Sequence, residues 1–410
     1  MMDTRSRPLY DAPARHARPA LPSEVHPQPE ITLPKTPLPF IDLAAQRAAL
    51  GDRVDAAIMR VINSGSYILG PEVAQLERDL AAFCGAGFAL GCSNGTDALA
   101  LFLMARKVSA GEAILCPSFT FAATAEVIAW FGATAVFVDV DERSFNMDPA
   151  SLDAGIRTAK GLGLTPAGVI CVDLFGQPAD YDAIVPICEA NKLWLLCDAA
   201  QSFGATYHGR KIGTFGSATA TSFYPAKPLG CYGDGGAVFT DDEELLSTMR
   251  SLRVHGQGSD PYDNVRIGMN GRLDTLQAAI LLEKLRIFPA EIEKRDEVAR
   301  RYSAALNDIA VVPHVIDDAT SVWAQYTIRV PAERRADFAA ALKGQGVPTA
   351  VYYPKPLHQQ TAYRHFPTAG NGLPVSDRIA REVISLPMHP YLELPVQEFI
   401  IAACRAALAS

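Results

Sequence analysis

Apolar positions recur at helical spacing over 73–83 (VAQLERDLAAF), 98–104 and 124–130. Alternating with these helices are short apolar runs at 113–116, 135–138, 169–172 and 193–197. A further run, 218–223 (ATATSF), is less aliphatic but rich in β-branched threonine and also reads as a strand. Strands alternating with helices predict an α/β fold with a mostly parallel sheet covered on both faces. Near Arg272 a long helical pattern begins, carrying Leu276, Ile280, Leu281 and Leu285, and runs on with breaks towards Arg301. From about residue 322, YTIRV, DFAAALKGQG and PTAVYYP predict strand, helix and strand in a smaller α+β domain. The expected division is a large domain over 39–286 and a small C-terminal domain over 287–410. Residues 1–38 are dense in Pro and Arg without apolar periodicity, the composition of a mostly disordered tail.

Composition narrows the function classes. A net charge of −8 argues against a general nucleic-acid or anionic-membrane binder. No apolar stretch approaches the roughly 18–20 residues that a membrane-spanning helix needs. The 8 cysteines include no Cys-x-x-Cys pair, and the 8 histidines lack the spacing of a zinc site. Reduced thiols, a cytoplasmic location and no structural metal are expected. No G-x-G-x-x-G follows a strand and there is no G-x-x-x-x-G-K-[ST], so neither dinucleotide nor phosphate-loop chemistry is indicated.

Ligands of open parallel sheets sit at the carboxyl ends of the strands, and three such ends carry candidate chemistry. Asp198 ends LWLLCD; an acid there is costly without a partner, though it could simply cap a helix. Lys227 lies in a loop bracketed by Pro225, Pro228 and Gly230, where lost hydration would lower its pKa and free the neutral amine. Loop lysines are more commonly solvated. Asn94-Gly95-Thr96 opens a helix, either as a plain cap or as a set of amides offered to a phosphate. Pyridoxal phosphate needs a lysine, an acid for its ring nitrogen, a phosphate cradle and a stacking group. Phe121 is the stacking candidate; its other role would be that of a core aromatic.

From Phe40 to about Leu408 the chain resembles the DegT-type nucleotide-sugar aminotransferases of aminotransferase fold type I. The stretches that carry the resemblance include SGSYILGPEVAQLE, CSNGTDALAL, CPSFTFAATAEV, DLFGQPAD, CDAAQSFGA, SFYPAKPLGCYGDGGAV and IGMNGRLDTLQAAIL. The resemblance implies pyridoxal 5'-phosphate as cofactor, with Lys227 as the Schiff-base lysine and proton shuttle. It places Asp198 at the pyridinium nitrogen, Gln201 at the ring-hydroxyl side, Phe121 on the ring, and Gly95, Thr96 and Ser222 at the phosphate. Asn270 of the partner subunit would complete that cradle, implying a homodimer with shared active sites.

Within the family, TSFYPAKPLGCYGDGGA, RVHGQ, GVPTAVYYPKPLHQQTAY and SLPMHPYL are most similar to the UDP-2-acetamido-2-deoxy-3-oxo-D-glucuronate aminotransferases of surface-polysaccharide pathways. The implied substrates are L-glutamate and a nucleotide-linked 3-keto sugar. Arg272 is the expected partner of the sugar carboxylate, and Tyr352, Tyr353 and His358 are expected to line the sugar site. Two departures fall there: Tyr352 stands where relatives usually carry His, and Gly271 replaces the usual Ser or Tyr. A 3-keto- or 4-keto-6-deoxy hexose is the alternative substrate. Sugar dehydratases on this fold carry His in place of the lysine, so Lys227 speaks against that class. A non-catalytic regulatory homologue is disfavoured by the joint presence of Lys227, Asp198, Gln201, Ser222 and Asn270.

Overall fold

Three helices lead into the sheet: α1 (Leu43–Leu50), α2 (Asp52–Ser64) and α3 (Pro71–Cys84). The Asp42 side chain caps the first by accepting from the Ala45 amide, and Pro71 opens the third at a position where its missing N–H costs nothing. The computed structural model describes residues 38–260 and 262–409. The expected tail over 1–38 lies outside them except for Leu38, which packs against the second core.

Strands and helices then alternate as β1 (Phe88–Cys92), α4 (Gly95–Ala105), β2 (Glu112–Pro117), α5 (Ala123–Trp130), β3 (Thr134–Val138), α6 (Pro149–Gly161), β4 (Thr165–Val172), α7 (Tyr181–Ala190) and β5 (Trp194–Asp198). A short ribbon of β6 (Thr206–Tyr207) and β7 (Arg210–Lys211) precedes β8 (Ala218–Ser222) and β9 (Gly236–Thr240). Seven strands form one sheet in the order β1-β9-β8-β5-β4-β2-β3. All pairs are parallel except those of β9, which runs antiparallel to β1 and β8. Strand β9 was not anticipated, because its glycine-rich approach reads as loop. Its first residue explains the glycine: a Cβ on Gly236 would lie 2.4 Å from the Asn94 carbonyl oxygen.

After α8 (Glu243–Leu252) comes α9 (Thr275–Leu306), a single 32-residue helix without the expected breaks, even though Pro289 lies inside it. The lost hydrogen bond at Pro289 is outweighed because both halves are buried in different cores. Leu281 and Phe288 join the cluster beneath β1 and β9, whereas Val298, Tyr302 and Leu306 join the second core. That second core is closed by β10 (Tyr326–Arg329), α10 (Arg335–Gly344), β11 (Val383–Leu386) and α12 (Leu394–Ala409), whereas α11 (Pro374–Glu382) buries Ile379 and Ala380 in a separate cluster with Phe119 and Phe175. The strand expected at PTAVYYP is absent. Its place beside β10 is taken by β11, and only Ala350 bridges to it, at Ser385. The chain at 351–353 instead turns its tyrosines against Phe40, Phe119 and Phe121. No helix among the described residues is long and apolar enough to cross a membrane. The eight cysteines are free and buried.

Candidate active site

Strand β5 ends on Asp198, buried at the carboxyl edge of the sheet. No helix follows, so the acid caps a turn: its Oδ1 accepts from the Ala200 amide at 3.1 Å. Burial raises its pKa, opposed by the Ala200 amide, the Lys227 charge and Thr124. Thr124 Oγ1 is itself buried towards this acid, with no other partner at hydrogen-bond distance among the described residues. Lys227 sits across from this acid in the loop between β8 and β9, and its backbone amide donates to the Tyr224 carbonyl at 2.8 Å. Burial lowers its pKa, with the negative charge of Asp198 the opposing influence. A desolvated amine beside a desolvated carboxyl is a poor structural ion pair, but it suits a nucleophile that must lose its proton.

Gln201 is fixed three residues beyond Asp198. Its Oε1 accepts from the Phe175 amide at 2.7 Å and its Nε2 donates to the Tyr353 hydroxyl at 3.4 Å. Phe121, 58% exposed, lies at the rim with its ring centre 6.4 Å from that of Tyr353. It is therefore not a core aromatic. Tyr352 stands beside Tyr353, and burial raises the pKa of both hydroxyls.

The start of α4 meets the end of β8. Asn94 caps the helix by accepting from the Asp97 amide at 2.8 Å, which leaves the first-turn amides of Gly95 and Thr96 without intrahelical partners. A Cβ on Gly95 would come within 2.7 Å of Ser222 Cβ, so only glycine lets the helix end lie against this serine. Open amides, a hydroxyl and a helix N-terminus in contact form a cradle for an anion.

The structure therefore brings Gly95, Thr96, Asp198, Gln201, Ser222 and Lys227 to one edge of the sheet, with Phe121, Tyr352 and Tyr353 above it. Asn270 is exposed on a segment that pairs with Val254. Arg272 bridges through its backbone to Cys92, two residues before the Asn94 cap. Among the described residues Arg272 makes no ion pair, and its Nε is buried without a partner. His358 is already engaged on both ring nitrogens, by Ser118 Oγ at 2.7 Å and Asp377 Oδ1 at 3.0 Å.

Two residues escaped the sequence reading. Thr124 carries no signal beyond its helix. Asp173 does: like Asp198, it directly follows an apolar strand run. Its carboxylate accepts from the Tyr181 hydroxyl at 2.7 Å, the Ala179 amide at 2.9 Å and the Ser202 hydroxyl at 2.7 Å, while its amide donates to the Asp198 carbonyl at 3.1 Å. Burial nonetheless pushes its pKa up to about 7. Asp173 thus secures the turn that bears both Asp198 and Gln201.

Residues 49–405 match the DegT/DnrJ/EryC1/StrS aminotransferase family model. The chain belongs to this family. It is 47% identical over 367 residues to the UDP-2-acetamido-2-deoxy-3-oxo-D-glucuronate aminotransferase of Pseudomonas aeruginosa, covering 89% of this chain and 98% of that protein. The crystal structure of a DegT/DnrJ/EryC1/StrS aminotransferase from Brucella abortus superposes with a TM-score of 0.89 at 51% identity, covering 91% of this chain and all of that one. DesV of S. venezuelae, solved with a ketimine intermediate, gives a TM-score of 0.86 at 37% identity over 91% of this chain and 99% of its own. As a DegT-family aminotransferase the protein takes pyridoxal phosphate as cofactor. The geometry fits that cofactor: the Gly95–Ser222 contact, which a Cβ would prevent, sets the open amides of the helix start beside the Ser222 hydroxyl, and the Thr124 hydroxyl and Lys227 amine line the same edge.

Proposed function

We propose that the protein transfers an amino group from L-glutamate to the 3-keto group of UDP-2-acetamido-2-deoxy-3-oxo-D-glucuronate. The single observation behind the site assignment is the desolvated Lys227 amine facing Asp198 beside the Gly95–Ser222 cradle. The sugar follows the name of the P. aeruginosa relative, and the unpaired Arg272 supplies the cation its carboxylate requires.

In this reading Lys227 holds the cofactor covalently through Nζ, with Gly95, Thr96 and Ser222 around its phosphate and Phe121 against its ring. Bound pyridoxal phosphate supplies an electron sink for deprotonation at the amine-bearing carbon. Asp198 keeps a proton on the ring nitrogen, because a carboxylate in this buried position favours the neighbouring cation. Lys227 Nζ, once released, takes the substrate proton and returns it, a role open to an amine whose pKa burial has already lowered. Gln201, held by the Phe175 amide, fixes the ring-hydroxyl side, and Tyr352 and Tyr353 face the sugar, whereas His358, engaged on both ring nitrogens by Ser118 and Asp377, would brace the site without binding the sugar through its ring.

The active unit is a homodimer in which Asn270 of the partner subunit completes the phosphate cradle. Support comes from apolar side chains left open near Asn270 in the chain, Val265 and Ile267, and from Ile68, which bridges Asp274, each more than half exposed. Residues 39–286 would form the cofactor-binding domain and 287–410 the small domain, in a cytoplasmic enzyme whose free thiols suit a reducing compartment. The test is borohydride reduction of the holoenzyme with peptide mapping, followed by a panel of keto sugars read by 2-oxoglutarate release. Cofactor recovered on Lys227 and turnover of the hexuronate are expected. Cofactor on another lysine would overturn the site, and preference for a 6-deoxy keto sugar would overturn the substrate.

A further inference from the structure

We infer that Lys284 and Gln277 of α9 are positioning residues for Lys227, gripping the loop over 223–235 so that its amine stays beside Asp198. The inference rests on the reading of Lys227 as the residue that holds the cofactor. The loop is closed at its base, where the Phe223 amide donates to the Gly235 carbonyl and the Cys231 amide to the Phe223 carbonyl, both at 2.7 Å. Inside it the backbone folds onto itself. A Cβ on Gly230 would lie 2.6 Å from the carbonyl oxygens of both Tyr224 and Pro225, and the Lys227 amide donates to that same Tyr224 carbonyl. Movement at Gly230 is therefore passed directly to the segment that carries Lys227.

Helix α9 holds the loop at two places. Lys284, 1% exposed, donates to the Gly230 carbonyl at 2.6 Å and places its ammonium 4.4 Å from the Tyr232 ring centre. Gln277, two turns earlier on the same face, accepts from the Tyr232 amide at 2.9 Å and reaches the Tyr232 carbonyl at 3.5 Å. Among the described residues Lys284 has no carboxylate at ion-pair distance. Burial lowers its pKa to about 8, against the opposing charges of Glu291 and Cys231. A buried ammonium satisfied by one carbonyl and one ring costs stability relative to an apolar side chain of the same length. Packing alone therefore does not call for a lysine here, whereas fixing one carbonyl of a catalytic loop does. The far half of the same helix is locked into the second core by Val298, Tyr302 and Leu306, so the grip has a rigid base.

The test compares holoenzymes of wild type, Lys284→Met, Lys284→Arg and Gln277→Leu by hydrogen–deuterium exchange, melting temperature and steady-state kinetics. Lys284→Met should leave the melting temperature unchanged or higher while raising exchange across 223–235 by about tenfold. The kcat should fall by about tenfold with the KM for glutamate within about twofold, and Lys284→Arg should recover part of both losses. Gln277→Leu, a milder change, should raise exchange in the same peptide. Unchanged exchange over 223–235, or exchange that rises throughout the protein with a lower melting temperature, would overturn the inference. Borohydride mapping on wild type separates the two readings. Cofactor on another lysine removes the role of Lys227 whatever the loop does, whereas cofactor on Lys227 with an indifferent loop removes only the roles of Lys284 and Gln277.

Discussion

Gly95 and Ser222 touch: a methyl group on the glycine would sit 2.7 Å from the serine Cβ and 3.2 Å from its Oγ. The helix N-terminus and the strand end are thus held at a separation set by the absence of one carbon. Gly95→Ala should push them apart and weaken cofactor binding by roughly 1–3 kcal/mol, the usual cost of overpacking. Titration of the apoprotein with pyridoxal phosphate measures it. Affinity within about twofold of wild type would show that the phosphate binds elsewhere.

Asp198 and Lys227 are predicted to fail differently. Asp198→Asn keeps the shape and the Ala200 hydrogen bond but removes the charge that, in the proposed reading, retains a proton on the ring nitrogen. Cofactor should still bind, while kcat falls on the order of 10²-fold or more. Lys227→Ala should abolish both covalent attachment and turnover. Near-normal rates in either variant would reverse the assignment.

Much of this site was legible in the sequence because each part sits where a periodic element ends. Asp198 closes an apolar strand, Asn94-Gly95 opens a helix, and Lys227 follows a threonine-rich strand. The parallel sheet followed from the same alternation. Less legible were features defined by contacts distant in sequence. Strand β9 pairs β1 with β8 across about 150 residues, and nothing local in GAVFT announces that partner. The 351–353 segment has the apolar content of a strand, yet its tyrosines are drawn to Phe40, Phe119 and Phe121. His358 reads as a sugar-site residue until Ser118 and Asp377 are seen at its two ring nitrogens.

Asp173 gives the protein a pH dependence whose sign can be fixed. Burial holds its folded pKa at about 7, well above the ordinary carboxylate value of 3.8, so between those values the folded state retains a proton that the unfolded chain has lost. Its contribution to stability is full below about pH 4 and is lost as pH rises through 7, amounting to a few kcal/mol at most. Asp173→Asn should flatten the melting-temperature profile between those limits, with a constant offset from wild type above about pH 8. A parallel profile in the variant would assign the titration to another group.

The proposed homodimer with shared sites is tested by a mixed dimer. Lys227→Ala and Asn270→Ala chains are each expected to be inactive or severely impaired as homodimers. Co-expressed and purified as the heterodimer, they should regain up to about one-half of wild-type activity, because one site then holds both an intact Lys227 and an intact Asn270. Additive, unrescued activity would place Asn270 in its own subunit's site, or in none.

The sugar assignment turns on Arg272. Its guanidinium forms no ion pair among the described residues and has a buried, unpartnered Nε, an arrangement that costs stability unless an anion arrives. A hexuronate carboxylate can accept two parallel hydrogen bonds from that planar fork. Arg272→Leu should therefore reduce kcat/KM for the uronate by an additional ~1.5–3 kcal/mol over its effect on an uncharged 3-keto hexose. Arg272→Lys should recover only part, since an ammonium lacks the fork. The discriminating quantity is the ratio of the two substrates, because a distorted site would depress both together. Equal losses on both would mean that Arg272 braces the chain beside Cys92 rather than reading the carboxylate, and the neutral 6-deoxy keto sugar would then fit the site better than the hexuronate.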